Sequence, residues 1–266
     1  MKYLLLPSLF LFVLFSCGDA TSESIVSIKV EPSVTGTDNI QKPQTSADTL
    51  PDMPEAISGR VNQTLNFPYL LNQDGIDKLD LSDNELSTEE VELLSQYLIV
   101  KDGISNIGTL LNSYFNFNHL IDSIGEEAYN DQIDLGMTQY FDAYLHYRVN
   151  LGEHKYYLIW SLDYGTYEAC PYYEGQYVLA TLCVNDKISN TVYIGEDSGG
   201  GDPPYMTSVF AGGDLWDTYI EVKRFEEYTE DIDMPSSDED EMQTITEKSK
   251  SKCRYLITDQ HIILEK

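Results

Sequence analysis

The sequence predicts an α+β fold that is mainly β, in which one or two helices precede an antiparallel β-meander built as a sandwich, a barrel or a propeller-like sheet. Two patterns predict it. Apolar residues recur at helical spacing between residues 88 and 124, and from Gln139 onward short runs alternate aromatic and β-branched residues with polar ones. Hydrophobic residues make up 42% of the 266, which is enough for a substantial core.

A signal peptide is predicted at residues 1–16. Lys2 supplies the basic start, and the apolar run that follows to Phe15 is too short to span a bilayer comfortably. The run ends in LFSC, the pattern of a bacterial lipobox, so Cys17 is expected to receive lipid. Acyl chains contribute about 0.8 kcal/mol per buried CH₂, which holds a protein on a membrane when more than one chain is present.

Residues 17–56 are predicted to be the lipidated cysteine followed by a disordered tether. In this segment Ser, Thr, Pro and Asp are frequent, and apolar residues do not recur at a regular spacing. As a flexible coil, the tether would place its two ends about 35 Å apart. The folded part is therefore expected to begin at residue 57.

Residues 57–138 predict a helical portion that packs on the sheet. A capping box formed by Ser87 and Glu90 begins a helix over about Thr88–Ile99, because the apolar residues there keep helical spacing. A second helix is predicted over Ile107–Ile124, where several Asn residues lower the helix propensity.

Residues 139–266 are predicted to form the antiparallel meander, in the same globular domain as the helical portion. Up to nine strands are expected, at YFDAYLHYRV, KYYLIWSLD, QYVLATLCV, ISNTVYIG, YMTSVFAG, DTYIEVKRF, QTITEKSK, KCRYLIT and HIILE. The predicted turns lie at Leu151-Gly152, Glu174-Gly175, Asn185-Asp186, Gly199 to Gly201, Gly212-Gly213 and Thr258-Asp259. An acidic loop, Glu226–Glu241, interrupts the strand pattern.

The chain is strongly acidic, with a formal net charge of −29 that becomes −30 when Lys2 leaves with the signal peptide. Such a surface repels phosphate backbones and anionic headgroups, which excludes a nucleic-acid-binding function. Cationic partners and divalent metals stay open.

The segment GEDSGGGD contains Asp197-Ser198-Gly199-Gly200, the four letters of the nucleophile loop in chymotrypsin-like serine proteases. Glu196 stands where that loop needs a glycine, and none of the four histidines lies in the sequence context of that family's base. We therefore predict a glycine-rich turn or strand connection and no catalytic residue. The carboxylates of Glu196, Asp197 and Asp202 are candidate ligands for a hard cation such as Ca²⁺, and no other cofactor is suggested.

Tyrosine is abundant, with 14 of the 20 residues between Tyr140 and Tyr228. Because aromatic rings can stack on flat sugar faces, a glycan-binding surface is a candidate function of this segment. Its residues would be Tyr164, Tyr167, Tyr172 and Tyr173. The alternative is that these rings serve β-propensity and cross-strand packing.

Three cysteines follow Cys17, and an extracytoplasmic protein permits disulfides among them. Cys170 and Cys183 are the favoured pair because they are close in sequence, which leaves Cys253 unpaired. No Cys-x-x-Cys pair occurs, which excludes a zinc ribbon or a thioredoxin-like site.

The layout of LFSC, a Ser/Thr/Pro tether, LNFPYLL, LSTEEVELL and a tyrosine-rich meander that ends in CRYLITDQHIILEK resembles uncharacterised outer-membrane lipoproteins of Bacteroidota. The resemblance implies a lipid anchor in the outer membrane, facing the periplasm or the cell surface, and a β-rich fold without assigned chemistry. Gly18 also differs from the Asp that commonly retains lipoproteins at the inner membrane.

We expect a lipid-anchored, non-enzymatic envelope protein that serves recognition or structure, with a protein or glycan partner still to be identified. An extracytoplasmic hydrolase acting on glycan or peptide is one alternative, and it requires a base or nucleophile with an orienting partner in one pocket. A second alternative is an immunity-type protein that masks a basic partner, which requires the acidic side chains to gather on one side.

Overall fold

A large mixed β-sheet dominates the structure, which is a computed structural model of the chain. The structure describes residues 50–61, 63–66, 68–79, 84–101, 103–125, 128, 139–166, 172–202, 204–233 and 242–265. The predicted α+β fold, mainly β, is confirmed. None of the helices in these ranges combines the length and the apolar composition that crossing a membrane requires.

Short elements come first in the described part of the chain. They are α1 (Glu55–Ser58), β1 (Thr64–Asn66), β2 (Tyr69–Leu70), α2 (Gln73–Ile76), α3 (Thr88–Ser95), β3 (Leu98–Ile99) and α4 (Ile107–Ile124). The two predicted helices are α3 and α4, and α4 has the predicted bounds.

The start of α3 is fixed by the predicted capping box. The Ser87 hydroxyl accepts a hydrogen bond from the Glu90 N–H at 3.3 Å, and the Glu90 carboxylate accepts one from the Ser87 N–H at 2.9 Å. The end of this helix differs from the prediction, since it stops at Ser95 and not at Ile99. The reason is tertiary: β3 follows at once and pairs in parallel with a later strand.

Longer strands form most of the sheet. They are β4 (Gln139–Asn150), β5 (Lys155–Thr166), β6 (Tyr172–Val184), β7 (Lys187–Asp202), β8 (Tyr205–Leu215), β9 (Tyr219–Asp233), β10 (Met242–Ile257) and the short β11 (Ile262–Leu264). Two of the nine predicted runs, QTITEKSK and KCRYLIT, are joined in the single strand β10.

The strands from β4 to β11 follow one another in the sheet, and each is antiparallel to the next, so the predicted meander is confirmed. The earlier strands were not predicted: β1 pairs with β4 and β3 with β7 in parallel, while β2 pairs with β8. The sheet stays open between its outer strands β1 and β11.

Three of the predicted turns are confirmed. Asn185 and Asp186 have φ angles of 52° and 57°, the two positive values that a two-residue hairpin of type I′ requires. Leu151-Gly152 and Thr258-Asp259 also lie between strands.

Three glycine-containing segments predicted as turns lie inside strands instead: Glu174-Gly175 in β6, Gly199 to Gly201 in β7 and Gly212-Gly213 in β8. At these places the missing Cβ atom of glycine lets a neighbouring strand or segment approach the main chain closely. A Cβ atom at Gly175 would lie 2.5 Å from the Ser198 Cβ, and one at Gly212 would lie 2.5 Å from a main-chain oxygen of the segment before α2.

The folded part begins earlier than predicted. Leu50 and Met53, which we assigned to the tether, are buried in the structure. The Met53 N–H donates to the Asp186 carbonyl at 2.7 Å, and the Ile188 N–H donates to the Pro51 carbonyl at 2.9 Å. The tether prediction is therefore wrong for residues 50–56, because main-chain pairing beside β7 holds them on the sheet.

Different elements cover the two faces of the sheet. On one face lies α2, where Gln73 donates a hydrogen bond to Asp197 of β7. On the other face lies α4, where Tyr114 packs edge-on against Phe141 of β4 with ring centroids 6.4 Å apart. β4 begins and β5 ends at the same end of the sheet. We call this end the open end, and both candidate sites lie there.

Candidate functional site

The first candidate site is a row of polar side chains that crosses four strands at the open end. Asp142 of β4 lies directly opposite Asp163 of β5. Asp163 lies opposite Gln176 of β6, and Gln176 lies opposite Asp197 of β7. Residues that are directly opposite share a face of the sheet, with Cβ atoms about 4.5–5.5 Å apart. The pairing register therefore brings three carboxylates and an amide together.

These side chains line a cavity of about 540 Å³. We call it the carboxylate groove and define it by Tyr140, Asp142, Tyr144, Asp163, Glu174, Gln176 and Asp197. No Lys, Arg or His is among the described residues that line it. The groove is thus a concentration of negative charge beside aromatic rings.

The central pair of carboxylates lies in an environment that disfavours their charge. Burial raises the pKa of Asp163 to about 6; hydrogen bonds from Gln176 and Ser161 offset part of the shift, and the charge of Asp142 adds to it. Burial also raises the pKa of Asp142, and the Glu85 carboxylate raises it further. An incoming positive charge would relieve both effects.

The hydrogen bonds in the groove leave one acceptor unused. Gln176 Nε2 donates to Asp163 Oδ2 at 3.3 Å. Asp163 Oδ1 is buried and accepts no hydrogen bond of ordinary geometry from the residues that the structure describes. Because this oxygen is closed off from the groove, its unmet hydrogen bond adds to the cost of the charge on Asp163.

The arrangement supports two kinds of chemistry. Ammonium and guanidinium groups are attracted by carboxylates and by the faces of tyrosine rings, here those of Tyr140 and Tyr144. Two neighbouring carboxyl groups with a raised pKa, such as Asp142 and Asp163, are also the arrangement that general acid–base catalysis uses.

A serine and a histidine lie beside the groove. His146 Nε2 is 3.0 Å from Ser161 Oγ, the spacing of a nucleophile and its base. Ser161 is fully buried, however, at 0% exposure. A substrate cannot reach its hydroxyl, so this pair has a structural role.

The second candidate site lies on the opposite face of the same strands. Successive residues of a strand point to opposite faces, so Glu196 and Ser198 face away from Asp197. They line a cavity of about 410 Å³. We call it the Glu196 cleft and define it by Tyr164, Tyr173, Tyr177, Glu196, Ser198 and Arg224.

A buried ion pair forms the floor of this cleft. Glu196 is 2% exposed and accepts hydrogen bonds from the Tyr193 hydroxyl at 2.7 Å and the Ser198 hydroxyl at 2.6 Å. Arg224 Nε lies 3.5 Å from Glu196 Oε2. Ala211 stands between these two residues in the pairing of β7, β8 and β9, and its small side chain leaves room for the guanidinium group.

The Ser198 hydroxyl therefore donates a hydrogen bond to the Glu196 carboxylate. Within the described residues its hydroxyl has no hydrogen bond with a histidine, and the two histidines that bond to serines, His146 and His261, do so at Ser161 and Ser189. The serine-protease geometry is not present at this residue.

The strand β7 separates the three candidate cation ligands, Glu196, Asp197 and Asp202. Glu196 and Asp197 point to opposite faces, and Asp202 lies at the exposed end of β7. The prediction treated the segment as a flexible loop, but a strand keeps neighbouring side chains apart. No group of three His, Cys, Asp or Glu side chains that could hold a metal ion occurs in the described ranges.

The candidate glycan-binding tyrosines are partly brought together. Tyr164 and Tyr173 both line the Glu196 cleft. Tyr164 stacks on Phe141, with centroids 6.3 Å apart, whereas Tyr173 is 40% exposed. Tyr167 lies outside the described residues, and for Tyr172 only the main chain is described, as the first residue of β6.

The predicted Cys170–Cys183 disulfide is not formed at Cys183, which is a buried, free thiol. Cys183 lies at the end of β6 far from the loop that joins β5 to β6, so closeness in sequence does not bring it near that loop. Cys253 is also a buried free thiol, while Cys17 and Cys170 lie outside the described residues.

Sequence reasoning missed the residues that dominate the carboxylate groove, namely Asp142, Asp163 and Gln176. A signal was present: Asp142 and Asp163 interrupt strand runs that are otherwise aromatic or apolar, at YFDAY and SLDYG. A charged residue in such a run marks a position that faces solvent or a polar site. The pairing register decides which of these positions lie opposite one another. The sequence of a single strand does not reveal that register.

Comparisons with protein-family models, with curated protein sequences and with solved structures give no match. Function is therefore inferred from the two sites themselves.

Proposed function

We propose that the protein is a lipid-anchored recognition protein of the bacterial cell envelope, and that its carboxylate groove binds a ligand that presents an ammonium or guanidinium group. The lipobox at Cys17 and the apolar run before it support the anchor. The groove supports the ligand class.

The observation that carries this function is the gathering of carboxylates without a basic neighbour. Four acidic side chains line the groove, Asp142, Asp163, Glu174 and Asp197, and no Lys, Arg or His is among the described residues there. Elsewhere on the sheet acidic residues have partners; Glu221, for example, is held by Lys223, Lys252 and Arg254. For the central pair, Asp142 and Asp163, whose pKa values are raised by burial and by neighbouring carboxylates, a bound cation would supply a balancing charge.

Binding of a cation at this site is favoured by three contributions. It relieves the repulsion and desolvation that raise the pKa of Asp142 and Asp163. The cation can donate a hydrogen bond to the carboxylate of Asp142, which is only partly buried. It also places positive charge beside the rings of Tyr140 and Tyr144.

Calorimetric titration of the purified protein tests this function with two matched ligands, a glucosamine tetramer with protonated amines and its neutral N-acetylated counterpart. A lysine- and arginine-containing peptide serves as a second cationic ligand. We expect both cations to bind and the affinity to fall as salt is raised. Asp142→Asn should weaken this binding by about tenfold or more, because a hydrogen bond to a charged group contributes roughly 1.5–3 kcal/mol.

Glu153→Gln is the matched control, since it removes the same charge at an exposed position in the β4–β5 loop. If Asp142→Asn and Glu153→Gln weaken the binding equally, the attraction is a property of the net charge and the groove has no special role. Mass spectrometry of the titrated oligosaccharides separates binding from hydrolysis: shortened products that Asp142→Asn no longer yields would make the groove an active site.

A further inference from the structure

The Glu196 cleft differs from the carboxylate groove in charge and in hydrogen-bonding character. Its described lining has one buried carboxylate, one guanidinium, the partly exposed Glu226 and three tyrosines. Arg224 lies beside both Glu196 and Glu226, so the cleft has less uncompensated negative charge than the carboxylate groove. It offers both donors and acceptors next to an accessible ring.

Arg224 has unused capacity for hydrogen bonds. Its Nη1 donates to Glu226 Oε2 at 2.8 Å. Its Nε lies 3.5 Å from Glu196, which is too long for a hydrogen bond, and this buried nitrogen has no hydrogen-bond partner among the described residues. A guanidinium has five N–H donors and the Arg224 side chain is 16% exposed, so a ligand oxygen in the cleft can accept a hydrogen bond from its exposed part.

The carboxylate beneath fixes the orientation of these groups. Glu196 accepts from Ser198 and Tyr193, so the Ser198 hydroxyl proton points down toward the floor. A hydroxyl has two acceptor lone pairs, and Ser198 also shares a hydrogen bond with Tyr177, which leaves one acceptor position for a ligand. Arg224 on β9 and Ser198 on β7 line the same cleft, on either side of β8.

The aromatic part of the cleft completes the site. Tyr173 is 40% exposed at its rim, whereas Tyr177 is 1% exposed and forms its wall. A volume of about 410 Å³ is within the range of small-molecule sites. An exposed ring beside fixed donors and acceptors matches the surface of a sugar, which has an apolar face and a rim of hydroxyl groups.

We propose that the Glu196 cleft is a second ligand site, and that it binds an uncharged sugar unit of an oligosaccharide, with Tyr173 stacked on the sugar face and Arg224 and Ser198 hydrogen-bonded to its hydroxyl or N-acetyl groups. This site shares Tyr164, Ser198 and Gly199 with the lining of the carboxylate groove, but Asp142 lines only the groove and Tyr173 lines only the cleft, so the proposal does not depend on cation binding in the groove.

Titration of the purified protein with a panel of neutral oligosaccharides of glucose, galactose, mannose and N-acetylglucosamine tests the proposal. We expect at least one member to bind, and Tyr173→Ala to weaken that binding about tenfold while Tyr173→Phe retains it. Tyr205→Ala is the matched control: Tyr205 is 48% exposed, stacks on Tyr228 and lies outside the cleft lining.

The proposal would be overturned if the wild-type protein bound no member of the panel. It would also be overturned if Tyr173→Ala and Tyr205→Ala weakened the binding equally. The two sites are told apart by crossing the variants. Tyr173→Ala should leave binding of the glucosamine tetramer intact, and Asp142→Asn should leave binding of the neutral ligand intact, so either proposal can fail without the other.

Discussion

Asp163 is held by the fold in a position that disfavours its charge. Its pKa is raised from 3.8 to about 6, mainly by burial. Since the folded protein binds this proton more tightly than the unfolded chain does, stability falls as pH rises from about 4 to about 6 and stays reduced above that range. The unfavourable contribution at neutral pH is roughly 3 kcal/mol, at about 1.4 kcal/mol for each pK unit.

Replacing this carboxyl by a neutral amide should therefore stabilise the protein in a pH-dependent way. We expect the free energy of unfolding of Asp163→Asn to exceed that of the wild type by roughly 1–3 kcal/mol near pH 7, and the difference to vanish at about pH 2.5, where Asp163 is protonated in both states. Urea unfolding at the two pH values measures this. A difference that is the same at both would contradict the raised pKa.

Single residues were predictable where their role is local. The reciprocal bonds of Ser87 and Glu90 follow from their spacing, and the positive φ angles of Asn185 and Asp186 follow from their residue types. The importance of Asp142 was not predictable, because it comes from lying opposite another carboxylate in a paired strand.

At the scale of elements, glycines have a role that their usual association with turns conceals. Gly175, in the interior of β6, lies between Tyr164 of β5 and Ser198 of β7. Its missing side chain allows Tyr164 to lean over β6 and allows Ser198 to reach Glu196. A glycine in a strand cannot be told from a glycine in a turn by residue type alone. Three segments within strands were therefore predicted as turns.

A methyl group at this position should be poorly tolerated. An added Cβ would lie 2.5 Å from the Ser198 Cβ and 2.9 Å from the Tyr164 ring, so we expect Gly175→Ala to destabilise the protein by about 1–3 kcal/mol. Gly152→Ala is the comparison, since an added Cβ there meets nothing within 4 Å. Thermal or urea unfolding of both variants checks this, and equal stability would show that the strands shift apart at low cost.

At the scale of the whole molecule, the distribution of charge matters more than its total. A net charge of −29 indicated a surface that repels anions but not where the charges lie. The register of β4 to β7 places four carboxylates in one groove and directs Glu196 to the opposite face, beside Arg224. One sheet thereby offers two chemically different surfaces, which a composition cannot reveal.

The outer side of β10 is the other large-scale feature of the sheet. β9 pairs with β10 over Met242–Leu256, but β11 covers only Tyr255–Ile257 on the far side. No further strand pairs with β10 within the described residues. Along this uncovered side, Lys248, Lys250 and Lys252 recur at alternate positions on one face.

We expect these lysines to prevent pairing between copies of the protein. Lys250→Thr should increase concentration-dependent association, measured by light scattering, because threonine favours strands and removes a repulsive charge. Lys78→Thr, an exposed lysine before the sheet, makes the same change of charge elsewhere and should have little effect. Association of both variants to the same extent would indicate a general effect of charge.

Under the proposed lipid anchoring, the uncovered side of β10 would also affect how neighbouring molecules meet on the membrane. Anchoring confines molecules to two dimensions and raises their local concentration, so that even weak strand pairing between neighbours would be amplified. We expect the lysines along the uncovered side of β10 to keep crowded neighbours from pairing there, so that the two proposed ligand sites stay accessible.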